Sequence, residues 1–318
     1  MDVVSIGETM VMFTPHTNGQ MRYAKNFSSR IAGAETNTLI GLAKLGRQTG
    51  WISRVGKDEF GALILSAVRG EGVDTSQVIV DEEAPTGIFF KEIINEKNMQ
   101  VYYYRKYSAA SFLSPNDINE DYIANAKYIY ITGITPALSQ SCRDSVFYAI
   151  QIAKKHGKKV IFDPNVRRKL WKEEEEARKV LLSISEMSDI VLPGVSEGKF
   201  LFGTDDCEEI SNLFHQRGVE SVIVKRGEKG AYYSTPFEKG YVKGIKVEKI
   251  VDPVGAGDGF AAGVLSGLLD GLNFAESVAR GCAIGAMVTT VSGDIEGLPN
   301  REMLEMFIHS SVQDDVVR

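Results

Sequence analysis

The stretch Val251-Asp252-Pro253-Val254-Gly255-Ala256-Gly257-Asp258-Gly259-Phe260 sets three glycines around one carboxylate at the start of a helical pattern. Phe260, Val264 and Leu268 follow at i, i+4 and i+8, with Leu265 and Leu269 beside them, which predicts a buried helix from near Ala256. Glycines ahead of such a helix let the backbone turn sharply and approach a ligand. The first helical turn has N–H groups without intrahelical partners and sits at the positive end of the dipole. Together these make an anion site, most naturally for phosphate. Asp258 is the anomaly, because a carboxylate repels phosphate. It fits if it faces the group that attacks the phosphate and takes that group's proton. It also fits as a plain N-terminal acid complementing the dipole, with the glycines serving only close packing. The pattern is G-x-G-x-G, with Phe260 or Ala261 where a dinucleotide fold needs its third glycine, and no G-x-x-x-x-G-K-[ST] occurs. Neither better-known phosphate fingerprint is present.

The chain around this stretch has 318 residues, 43% of them hydrophobic, which is ample for a large core. A net charge of -6 and a pI near 5.4 leave no general basic footprint for nucleic acid. No apolar run reaches the roughly 18 residues a membrane-spanning helix needs. The N-terminus enters directly as a strand, Val3–Ile6, without a signal-peptide pattern. Cys142, Cys207 and Cys282 are odd in number, widely spaced and lack a CxxC, which fits reduced thiols in the cytoplasm and gives no zinc site. His16, His156, His215 and His309 are scattered without an HExxH.

Taken in order, Val3–Ile6 reads as a buried strand with Glu8 at its C-terminal end, and residues 9–31 are polar and irregular. A helix over 39–45 ends at Gly46. A strand over Trp51–Gly56 and a helix capped by Asp58 follow. This alternation signals a parallel sheet covered on both faces. Residues 85–108 break it. Thr86–Ile94 and Met99–Tyr104 are β-prone runs joined by Asn95-Glu96-Lys97-Asn98, a hairpin turn. With residues 9–31 they form a small extra sheet, read as a flap over a site, an oligomer interface, or both. Later strands are expected at Tyr128–Thr132, Lys159–Phe162, Asp189–Leu192, Ser221–Val224, 231–234 and 241–250, and helices at 139–156, 256–269 and 274–290. No linker or repeat appears, so one α/β unit over 1–318 with an appendage is expected.

Asp163, Asn165, Arg167, Ser196, Glu197, Lys225 and Gly227 all fall just after expected strands, and in a parallel sheet those ends share one edge. Arg167 offers a fork to carboxylate or phosphate, and Glu197 a hard oxygen ligand for magnesium. An ordinary salt bridge and a helix N-terminal acid are the plainer readings of the same two residues. On a strand, Tyr103 and Arg105 share one face, placed to reach a polar substrate.

Two separated signatures now resemble the ribokinase-type (PfkB) family of sugar kinases along nearly the whole chain. One runs from Ala32-Gly33-Ala34-Glu35-Thr36-Asn37 through Gly46 to Gly56-Lys57-Asp58-Glu59-Phe60-Gly61. The other is the D-x-x-G-A-G-D of Asp252 to Asp258. Gly7-Glu8-Thr9-Met10, Tyr103-Tyr104-Arg105-Lys106, Asp163-Pro164-Asn165-Val166-Arg167 and Leu192-Pro193-Gly194-Val195-Ser196-Glu197 further resemble the 2-keto-3-deoxygluconate kinases of that family.

The resemblance implies an α/β, ribokinase-like three-layer sandwich with a mostly parallel central sheet and a small β-sheet lid from about 9–31 and 85–108. It implies ATP-dependent phosphorylation of the terminal primary hydroxyl of 2-keto-3-deoxygluconate, with fructokinase or another neutral-sugar kinase as the alternative. Gly33, Ala34, Asn37, Tyr103, Arg105 and Arg167 would hold the sugar. Asn165, Ser196, Lys225, Gly227, Gly230 and Cys282 would border the nucleotide. Gly255, Ala256 and Gly257 would form the anion hole, with Asp258 as base. Glu197 would hold magnesium through water, and backbone carbonyls of Asp252 and Val254 a potassium ion. Gly194 stands where the family's N-x-x-E motif has Asn, Val254 where it has threonine, and Cys282 where many members carry Asn near the adenine. The lid would pair two copies into a homodimer or higher oligomer, in the cytoplasm, with neither nucleic acid nor membrane as partner. Two other classes stay in view: a sugar-binding protein without turnover, and a nicotinamide-dependent dehydrogenase. The intact Gly255-Ala256-Gly257-Asp258 speaks against the first, and the missing glycine fingerprint against the second.

Overall fold

In Val3–Ile6 (β1), successive side chains leave on opposite faces, and both faces are buried: Val3 joins one hydrophobic core, Val4 the other. The same alternation recurs in Tyr128–Thr132 (Tyr130 against Ile129 and Ile131) and in Ser221–Lys225 (Ile223 against Val222 and Val224). A sheet buried on both faces therefore runs through the molecule. The computed structural model describes residues 1–95 and 98–316, the side chains of 310–316 excepted.

After β1 come Met10–Pro15 (β2), Phe27–Ala32 (β3), Thr49–Gly56 (β4), Asp74–Asp81 (β5), Ile88–Asn95 (β6), Asn98–Tyr104 (β7), Tyr128–Thr132 (β8), Lys159–Asp163 (β9), Ile190–Val191 (β10), Ser221–Lys225 (β11), Ala231–Ser234 (β12) and Lys239–Val242 (β13). The helices are Ala34–Lys44 (α1), Glu59–Gly70 (α2), Glu120–Ala124 (α3), Gln140–Lys155 (α4), Glu174–Glu186 (α5), Val195–Phe202 (α6), Cys207–His215 (α7), Ala256–Leu269 (α8), Phe274–Val288 (α9) and Arg301–Val316 (α10).

Nine strands form the central sheet in the order β13-β12-β11-β10-β9-β8-β1-β4-β5. It is parallel from β5 through β11, and β12 and β13 close one edge antiparallel. α3 to α7 supply side chains to the core holding Val4, and α1, α2 and α8 to α10 to the core holding Val3. That is the expected three-layer sandwich. β1 lies between β4 and β8, so the chain winds outward in both directions from it. A crevice forms at such a reversal, at the C-terminal ends of the strands.

The lid is a separate four-stranded sheet, β3-β2-β6-β7. Its inner face carries Met10, Met12, Ala32 and Phe89. Its outer face carries Phe13 and Phe90, stacked with ring centroids 5.3 Å apart, with Phe60 of α2 edge-on to Phe13 at 5.7 Å. These aromatic contacts fix where the lid meets the sandwich.

Several elements differ from the sequence reading. β5, a half-exposed edge strand, carries no clean alternation and was not anticipated. β13 ends at Val242, whereas 241–250 was expected, and α9 ends at Val288 rather than 290. Asp58 does cap α2, accepting from the Gly61 N–H at 2.8 Å. The hairpin turn expected over Asn95-Glu96-Lys97-Asn98 involves residues 96 and 97, which lie outside the described residues. Arg105 lies one residue beyond β7, so it does not share a strand face with Tyr103.

Candidate active site

Gly255 adopts φ +79° as the N-cap of α8, and a Cβ there would stand 2.7 Å from the Asp294 carbonyl oxygen. Only glycine makes this turn without strain or collision. The turn presents the first α8 amides to a cavity of about 400 Å³ beneath the lid. Asp258 lines that cavity from the first turn of α8, only 8% exposed. Its Oδ2 accepts from Asn37 Nδ2 at 2.8 Å. The reach from α1 to α8 depends on close packing one turn further on, where a Cβ on Gly41 would stand 2.9 Å from Ala262 Cβ.

Burial pushes the Asp258 pKa up to about 7, with Asp163 and Asp294 adding to it and Asn37 and Arg167 opposing. The sequence alone suggests an ordinary carboxylate, too weak to hold a proton at neutral pH. The fold turns it into a group poised near neutrality, the range that suits proton transfer. Asp294 is likewise pushed up by burial, to about 6. Asn37 Oδ1 and Asp294 Oδ1 are both buried without a partner, so each has a free acceptor beside the cavity.

The cavity brings together Gly33, Ala34, Asn37, Tyr103, Arg105, Arg167, Glu197, Val254, Gly255, Gly257 and Asp258. Asn165 lies here too, at φ +36°, rather than in the neighbouring cleft where a nucleotide-binding residue was expected. That cleft, of about 740 Å³, is lined by Ser196, Lys225, Gly227, Lys229 and Tyr241. Lys225 lines both spaces. Its Nζ donates to Asp163 Oδ2 at 2.5 Å, and a Cβ on Gly257 would stand 4.0 Å from it. Burial lowers the Lys225 pKa, but Asp163 and Glu197 outweigh it and the net direction is upward, so the side chain stays charged.

Gly230 and Cys282 line neither space. Gly230 packs against the Val242 carbonyl at φ +91°, which requires glycine at this turn. Cys282 is buried in the core of α8 and α9. Ala256 and Asp252 are also absent from the lining.

Arg105 is not a free cation. Its Nε and a terminal nitrogen bind Glu8 Oε2 at 2.7 and 2.5 Å, and Ser108 Oγ donates to Glu8 Oε1. Asp252 is similarly taken: Lys91 Nζ of the lid donates to its Oδ2 at 2.5 Å. Among the described residues the Arg167 guanidinium has no hydrogen-bond or ion-pair partner, although its charge is felt at Asp258. Glu197 behaves as the helix N-terminal acid of the plainer reading. Its two oxygens accept from the N–H groups of Val166 (2.8 Å) and Gly194 (2.6 Å), and burial raises its pKa. Each oxygen keeps one lone pair, open to a water or a hard cation. No cluster of three or more His, Cys, Asp or Glu side chains able to hold a metal occurs among the described residues. Lys91 and Asp294 escaped the sequence reading as site residues, and Glu8 was placed at a strand end without a role. Lys91 did leave a signal, a charge on the apolar alternation of β6.

A family model described as pfkB family carbohydrate kinase matches residues 1–301. The chain is 41% identical to the 2-dehydro-3-deoxygluconokinase of Bacillus subtilis (strain 168), over 97% of this chain and 95% of that one. The structure resembles a putative Ribokinase II from E. coli in complex with ATP and Mg2+ (28% identity, TM-score 0.89, covering 97% and 99% of the two chains). It also resembles a fructokinase double mutant from Vibrio cholerae O395 in its fructose-, ADP- and potassium-bound form (29% identity, TM-score 0.84, covering 96% and 98%).

Proposed function

The chain belongs to the pfkB family of carbohydrate kinases, and on that premise we propose that it transfers the terminal phosphoryl group of ATP to the primary hydroxyl of 2-keto-3-deoxygluconate (2-dehydro-3-deoxygluconate). The product is 2-keto-3-deoxy-6-phosphogluconate. The observation that carries this is the placement of Asp258. It is a buried carboxyl with a pKa near 7, on the floor of a cavity sized for a small sugar, beside bare helix amides.

The sugar hydroxyl rests against Asp258 Oδ1, the oxygen that Asn37 leaves free. As the bond to phosphorus forms, the proton passes from that hydroxyl to Asp258. Phosphoryl transfer needs positioning and charge stabilisation, with little covalent work by the protein. The amides around Gly255 and Gly257 and the Lys225 ammonium stabilise the charge on the phosphoryl oxygens. Arg167, the unpartnered cation, turns either to them or to the acceptor's carboxylate. Asn37 and Asp294 offer acceptors to the sugar's other hydroxyls, and Tyr103 covers the pocket from the lid. The nucleotide occupies the cleft of Ser196, Lys225 and Gly227. Magnesium bound with the nucleotide would neutralise phosphate charge, and Glu197 would hold it through water.

We further place the protein in the cytoplasm, as one catalytic unit that pairs through its lid. Tyr104 and Met99 at the lid's edge strand are exposed and suit such pairing. No helix among the described residues is long and apolar enough to cross a membrane.

The Glu8–Arg105 pair favours a second reading, because it cancels the charge meant for an acid substrate. A neutral hexose such as fructose would tolerate that arrangement. A coupled kinase assay with ATP over 2-keto-3-deoxygluconate, its galactose-derived epimer, gluconate and fructose separates the two. The sugar acid should give the highest kcat/KM. A preference for fructose would replace the first reading with the second.

A further inference from the structure

Lys91 lies mid-strand in β6, two residues from Phe89 and on the same face, and is 7% exposed. A lysine on an apolar lid face is costly unless its ammonium meets an opposite charge. It meets Asp252, also 7% exposed, at 2.5 Å. The other oxygen of Asp252 accepts the N–H of Val254 at 3.2 Å. A continuous chain of ammonium, carboxylate and peptide N–H thus runs from the lid into the turn that ends in Gly255. Asp294 flanks the same turn, and Lys91 is the cation whose field acts most strongly on it. Glu296 adds a further negative charge nearby. Asp252 and Asp294 therefore both depend on one ammonium carried by the lid.

The family resemblance sets a potassium ion on the backbone carbonyls of Asp252 and Val254. In this chain Lys91 brings a fixed monovalent charge to the same loop, through the Asp252 carboxylate. We infer that Lys91 Nζ is the resident monovalent cation of the Asp252–Asp258 loop, a positioning residue that keeps the loop in shape without added potassium and ties that shape to the lid. The inference rests on reading this loop as the phosphoryl site. An ammonium and a potassium ion carry the same charge at similar size. The tethered one needs no binding step from solution, since its linkage gives it a high effective concentration.

The test compares the full-length wild type with Lys91→Ala, Lys91→Met and Lys91→Arg in buffers whose only monovalent cation is tetramethylammonium, potassium or methylammonium. Rate is one readout. The melting temperature with ADP is the other, and it requires no turnover, so it reports on the cation even if the acceptor sugar is a different one. The wild type should change less than about twofold in rate between buffers. Lys91→Ala should fall about tenfold or more in tetramethylammonium, as expected when a buried carboxylate loses its partner. Potassium or methylammonium should restore both its rate and its melting temperature in a saturable way. Lys91→Met fills the space without charge and should not be restored, whereas Lys91→Arg should stay indifferent to potassium. A wild type that itself requires potassium overturns the inference, and that result needs no variant to fold. So does a Lys91→Ala whose response to potassium matches the wild type's.

Discussion

Asp258→Asn removes a carboxyl group that the fold holds back from ionising. In the unfolded chain the group ionises near 3.8, and in the folded protein near 7. The folded state thus holds this proton more tightly. Its stabilising effect is fully present below about pH 3.8 and is lost as pH rises through about 7, after which the loss levels off. At about 1.4 kcal/mol per unit, the gap amounts to about 4 kcal/mol by pH 8 but only about 2 kcal/mol at pH 5. Asn carries no charge and escapes this cost. Asn37 can rotate its amide so that the unpartnered Oδ1 accepts from the new side chain. Urea unfolding of both proteins should therefore show the variant more stable, by a margin that widens by about 2–3 kcal/mol from pH 5 to pH 8. The same variant should have lost most activity, a stability gain at the expense of function. A margin that does not change with pH would refute the claim that burial sets the Asp258 pKa.

Three further outcomes follow from the site. Asn37→Ala removes the hydrogen bond that favours ionised Asp258, so the acid limb of the kcat/KM profile should move to higher pH; an unmoved limb would assign it to another group. Arg105→Ala should raise KM for the sugar acid about tenfold or more while changing fructose less, as loss of a charged hydrogen bond predicts; equal effects would mean that Glu8 uses up the arginine. Lys225→Met should lower kcat about 10²-fold and raise KM for ATP, since Asp163 and Glu197 then face the phosphates unopposed; an unchanged kcat would confine Lys225 to a structural role.

The parts of the fold that could be read in advance are those with local signals. The glycines before α8, the cap of α2 and the two-faced apolar strands each follow from neighbouring residues. The convergence of Asp163, Arg167, Glu197 and Lys225 followed from one topological rule about strand ends. What stayed hidden depends on distant partners. Glu8 meets Arg105 across 97 positions and Lys91 meets Asp252 across 161, and no periodicity records such pairs. The pKa of Asp258 was illegible for the same reason, because burial by distant elements, with Asp163 and Asp294 adding to it, shifts it. β5 went unseen because its only apolar residues, Val78-Ile79-Val80, make a run of three behind the polar Asp74-Thr75-Ser76-Gln77, at a sheet edge. Cys282 was placed near the nucleotide by resemblance, and Gly230 also by its glycine-bracketed turn; in the fold Cys282 sits in the α8–α9 core and Gly230 packs against the Val242 carbonyl.

The most direct test is rapid-quench single turnover with 2-keto-3-deoxygluconate and ATP, comparing wild type with Asp258→Asn, alongside nucleotide binding measured separately. If Asp258 takes the hydroxyl proton, the variant binds ATP as the wild type does while its transfer step slows by about 10²–10⁴-fold. A transfer step of undiminished rate in that variant would contradict the account.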